Sequence, residues 1–123
     1  MPISLRGVMQ SPVTPLKDDF SLDVPTYEKL VDFHVRTGAT AISWPHHKGE
    51  SLNLTIQERK MGAEATVKAV GGRVPVSIHV SSLAVEDAID LASEFAASTD
   101  ELVASADLLP VLQRYQARRS VEV

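Results

Sequence analysis

The chain has 123 residues, the size of one domain and enough to bury a real core. Its apolar content is ordinary and its charged fraction close to average, which excludes a disordered or fibrous chain. A net charge of −4 with no basic block before the last ten residues argues against a nucleic-acid partner, and the lack of cysteine excludes disulfides, thiolate metal sites and cysteine nucleophiles.

No apolar run approaches the ~20 residues needed to span a bilayer, so no membrane partner is expected. The N-terminal "MPISLRGVMQSPVTP" has no long apolar core and no cleavage signature, which makes a cytoplasmic location the expectation. "RGVMQSPVTP" reads as a first strand closed by prolines, and "KDDFSLD" as a polar turn. A helix follows in "DVPTYEKLVDFHVRTG", with Asp23 as cap, Pro25 in its first turn, and Tyr27, Leu30, Val31 and His34 at helical spacing. Gly38 stops it. "ATAISW" is a short buried strand and "PHHKGESLN" the loop after it. Thr55 and Glu58 in "TIQE" form a capping box for a second helix that runs to Gly71-Gly72. "RVPVSIHV" is a third strand, and Ser81 or Ser82 caps a third helix that presents Val85, Ile89, Ala92 and Phe95 or Ala96. "ELVAS" is a candidate fourth strand, followed by "ADLLPVLQRYQARRSVEV", a helix broken at Pro110 with a basic end.

Strands alternating with helices of this length predict βαβ units and a parallel sheet, with "GVMQSPV", "ATAISW" and "RVPVSIHV" adjacent. The repeat of roughly 30 residues suits a βα barrel as well as an open α/β sheet.

The landmarks "TPLKDDFSLD", "RTGATAI", "KGESLNLTIQER" and "GGRVPV" stand in an order and at spacings that resemble the dihydrodipicolinate synthase / N-acetylneuraminate lyase family, over roughly residues 5 to 98. That resemblance implies part of a (β/α)8 TIM barrel, three to four βα units in residues 1–105, with 106–123 a non-matching helical tail. It implies a pyruvate-dependent lyase or synthase, usually a homotetramer, acting on a 2-oxo acid through a Schiff base on a lysine of strand six. A tyrosine after strand four relays protons in that family. The loop after strand two, commonly Gly-Thr-Thr-Gly-Glu, holds the substrate carboxylate through amides and hydroxyls.

Matched onto that loop, His46 stands at its first glycine, His47 and Lys48 at the threonine pair, and Gly49 and Glu50 match directly. The implied substrate-binding residues are therefore His47, Lys48 and Gly49, with Lys48 attracting a carboxylate as a point charge beside the Gly49 amide. Every lysine lies at or before Lys68 and there is no tyrosine pair, so no catalytic residue is assigned and the chain is expected to be a truncated, inactive half-barrel. The competing reading is a non-catalytic fragment or interaction protein that self-associates through an exposed half-barrel surface. The family's proline, small residue and tyrosine pair after strand four, written CCG ACC TAC TAC and read one base out of step, yields "ADLLP", residues 106 to 110. A reading-frame shift near Ser105 is the expected origin of the tail, against a natural helical extension.

Neither a metal nor another cofactor is expected. His46, His47 and Glu50 are suitable ligand types, but adjacent histidines on an extended segment point in opposite directions. Lys48 is expected exposed, His34 and His79 packed, and Trp44 filling the barrel end or the base of the loop. Arg114, Arg118 and Arg119 read as a solvated helix end. No serine sits in a nucleophile elbow, and Gly71-Gly72 makes no phosphate loop.

Overall fold

The computed structural model describes residues 6–98. Three strands, β1 (Met9–Gln10), β2 (Ala41–Trp44) and β3 (Val76–Ile78), alternate with three helices, α1 (Val24–Arg36), α2 (Ile56–Val70) and α3 (Val85–Ser98). The sheet order is β1-β2-β3 and both pairings are parallel, as the alternation requires. Met9 pairs with Ala41, and Ser43 and Trp44 pair with Ser77 and Ile78. The candidate fourth strand and the tail lie outside the described residues.

The helices begin and end where their capping chemistry sits. The Asp23 carboxylate accepts from the Thr26 amide at 3.2 Å, and Gly38 follows α1 with φ +115°. Both halves of the Thr55–Glu58 capping box are made, at 3.0 and 3.1 Å, and Gly71 closes α2 in the left-handed region. α3 departs from expectation: it starts at Val85, so neither Ser81 nor Ser82 reaches its cap position. Its buried positions are Ala88, Leu91 and Ala92, at i, i+3 and i+4 on one helical face, while Val85 and Ile89 are half-buried. The strands are also shorter than their apolar runs. In β1 only Met9 and Gln10 pair, since Pro12 has no amide to continue the ladder.

Side chains on the sheet divide by parity. Ile42 and Trp44 of β2, with Val76 and Ile78 of β3, are fully buried against Tyr27 and Val31 of α1 and Ala63 and Val70 of α2. Ala41, Ser43 and Ser77 take the other face, which in a closed barrel is the interior. The helices are held side by side by burial, helped by ion pairs from Lys60 to Asp90 and Glu94 and from Lys68 to Glu28. No described helix is long and apolar enough to cross a membrane.

Candidate functional site at the ends of strands two and three

β2 leads straight into a wound turn over residues 45–50. The Gly49 amide donates to the Pro45 carbonyl at 2.8 Å, Glu50 to His47 at 3.0 Å and Ser51 to His46 at 3.2 Å. Only glycine fits at position 49, because a Cβ there would lie 2.3 Å from the Pro45 oxygen. The Gly49 carbonyl accepts from the Thr14 hydroxyl at 2.7 Å, and that hydroxyl accepts the Trp44 indole N–H at 2.9 Å. Trp44 thus forms the base of the loop, as expected. The Gly49 amide, expected beside the lysine as an anion donor, is instead committed to the turn.

His47 and Lys48 project from the turn as exposed side chains. Their own amides have no backbone acceptor among the described residues. His46 turns the other way, with its backbone in the left-handed region at φ +50°. Its Nε2 meets the Ser43 hydroxyl, and its ring stacks on His79 with centroids 4.6 Å apart. The two adjacent histidines therefore diverge. Among the described residues no three His, Asp or Glu side chains come together at metal-binding distance.

His79 stands just past β3, and its amide donates to the Trp44 carbonyl at 2.8 Å. Its Nδ1 is buried without a partner among the described residues. Burial, then His46, Arg59 and His47, hold its pKa down to about 4. Burial chiefly, with His47, lowers His46 as well. Both rings are neutral bases at neutral pH. Arg59 of α2, itself buried, braces the segment from behind: its guanidinium donates to the carbonyls of Ser81 at 2.7 Å and His79 at 2.5 Å. Beside it lies a cleft of about 330 Å³ lined in part by Thr55, Arg59, Ser82 and Asp87. A hollow of about 230 Å³ adjoins His47 and Glu50.

The matched loop residues thus lie together at the C-terminal end of β2, the end where βα barrels carry their chemistry. Ser43, His79 and Arg59 join them without having been singled out as a group. The signal for two of them was the alternation in "AISW" and "PVSIHV", which puts Ser43, Ser77 and His79 on the face opposite the apolar residues. Arg59 carried no such signal; its position within α2 reads as an ordinary exposed helical arginine.

Parallel βα units with a built turn at the strand ends define a segment of a βα-barrel enzyme fold. The dihydrodipicolinate synthetase family model matches residues 4–104. Relatives include 4-hydroxy-tetrahydrodipicolinate synthases of Saccharophagus degradans, 40% identical over 87 residues, and of Teredinibacter turnerae, 37% identical over 86. These alignments take in 71% and 70% of this chain but only 30% of each relative, so the chain spans under a third of their length. Among solved structures, Proteus mirabilis N-acetylneuraminate lyase superposes with a TM-score of 0.73 at 30% identity, covering 78% of this chain and 32% of that one. Dihydrodipicolinate synthase from Aquifex aeolicus gives 0.69 at 30% identity, covering 76% and 32%. The chain belongs to the dihydrodipicolinate synthetase family.

Proposed function

We propose that this chain carries the carboxylate-binding corner of a lyase or synthase acting on pyruvate or another 2-oxo acid, and that these 123 residues bind such an acid without turning it over. The HHKGE turn supports the binding half of this reading: Lys48 and His47 stand out from it at the end of β2, and among the described residues their amides have no backbone acceptor. Lys48 supplies the charge, the amides of His47 and Lys48 the donors, and Gly49 the tight turn that presents them. The other half rests on where the lysines are. Schiff-base chemistry needs a desolvated amine, by resemblance on strand six, whereas every lysine of this sequence lies at or before Lys68 and Lys48 is exposed. A soluble, cytoplasmic setting belongs to the same reading.

Pyruvate titration followed by NMR tests the binding half. The ring resonances of His47 should move, and Lys48→Ala should reduce the response severalfold. Incubation with pyruvate and borohydride tests the other half, with no added pyruvyl mass expected. A covalent adduct that disappears in Lys48→Ala would make Lys48 a nucleophile and end the proposal.

A second reading, an interaction protein that self-associates, draws on Val8, Met9, Val13 and Phe20, all exposed around β1. A concentration-dependent mass in light scattering that Val13→Lys abolishes, together with no response to pyruvate, would favour it.

A further inference from the structure

His46 and His79 come from different βα units, yet their rings stack with planes 28° apart. The charged groups that act on the two rings are of one sign. His47 from the same turn acts on both rings, Arg59 from α2 acts on His79, and each makes protonation harder. Lys48 adds another cation to the turn. The nearby carboxylates, Glu50 in the turn and Asp87 on α3, form no ion pair with either ring among the described residues; Asp87 acts on Arg59 instead. The pair is two neutral bases beside cations, with no counter-ion of its own among the described residues.

The unpartnered Nδ1 of His79 points the same way. A bare lone pair is cheaper to bury than an unpaired N–H on a cation. The Ser43 hydroxyl, on the interior face of β2, fixes the His46 ring against its neighbour. An anion settling on the turn would supply the missing opposite charge, which favours the charged form of groups within roughly 4–6 Å. Two adjacent imidazolium rings would repel each other, so the pair accepts one proton rather than two.

We infer that the stacked His46–His79 pair is the proton-linked half of the anion site: binding of a small carboxylate loads one proton onto the pair, and affinity therefore rises as the pH falls. This rests on the reading of the HHKGE turn as a carboxylate site and adds its regulation by pH. One proton taken up per anion bound corresponds to as much as about tenfold tighter binding per pH unit.

The test is a pyruvate titration at about pH 7.5, 6.5 and 5.5, following all four histidine rings, with circular dichroism confirming the fold at each pH. The dissociation constant should fall by roughly threefold to tenfold per unit, with the His46 and His79 resonances moving toward the protonated form on binding. His79→Gln and His46→Gln should each flatten the dependence; either variant alone suffices if the other fails to fold. His34→Gln should keep it, since His34 lies in the last turn of α1, which feeds the opposite end of β2. Binding that is independent of pH, or a slope that survives both variants or is lost only in His47→Gln, overturns the inference and leaves the anion site standing. If no histidine responds to pyruvate at any pH, the carboxylate reading fails and takes the inference with it.

Discussion

Replacing Gly62 with alanine sets helix propensity against packing, and the structure says which wins. Gly62 lies inside α2, where alanine is favoured over glycine by about 1 kcal/mol. A Cβ at this position would lie 2.1 Å from Cη2 of Trp44 and 2.6 Å from Cζ3. Carbon atoms in contact sit at about 3.5–4.0 Å, so helix and ring would have to part by more than an ångström. The ring has nowhere to go: it is fully buried, packs on Tyr27 at 5.5 Å, and is pinned through Nε1 to Thr14. Overpacking of a tight core costs roughly 1–3 kcal/mol, and a contact this short belongs at or above the upper end. After the propensity gain, Gly62→Ala should destabilise by about 2 kcal/mol. Urea unfolding followed by far-UV circular dichroism measures it, the midpoint falling while the slope holds. In a Trp44→Leu background the same glycine change should be neutral or stabilising, because the obstructing ring is gone. A Gly62→Ala chain at least as stable as its parent would refute the close approach of α2 to β2.

Thr14→Val keeps the side-chain shape but strands the indole N–H and the Gly49 carbonyl; a loss of about 1–3 kcal/mol is expected in the same assay, and an unchanged midpoint would remove the hydroxyl from its bridging role. Stability should also depend on pH through His79. Its folded pKa, about 4, lies below its ordinary 6.5, so the unfolded chain binds more protons; stability is full above about 6.5 and drains as the pH falls toward 4. The loss is on the order of 1–3 kcal/mol, and His79→Gln should flatten that part of the profile; an unaltered profile would contradict the burial described. For the gene, a frame shift at the start of the tail requires CTA codons for Leu108 and Leu109, and any other leucine codons exclude it.

The fold was legible where side-chain periodicity and capping chemistry agreed. Tyr27 and Val31 marked the buried stripe of α1, Thr55 and Glu58 the start of α2, and Gly38 and Gly71 the ends of both helices. It was less legible where two serines offered plausible caps, because a cap is chosen by where the chain arrives from β3, which tertiary packing decides. The HHKGE turn was found through its match to a known loop, but its internal wiring was not. Nothing in "PHHKGE" announces that the glycine amide is consumed by Pro45 or that one histidine folds back onto another βα unit. Contacts such as His46 with His79 join residues far apart in sequence. They follow from strand register, which a single chain's pattern leaves open until the sheet is assembled.

The only tryptophan of the chain is also the residue that joins the sheet to the turn. Its indole N–H reaches the Gly49 carbonyl through one intervening hydroxyl, so its excited state senses the polarity and rigidity of that small network. The protein thus carries an intrinsic optical probe beneath its candidate binding turn. Emission colour, lifetime and quenching can follow events there without a dye, a label or a second tryptophan to confuse the signal.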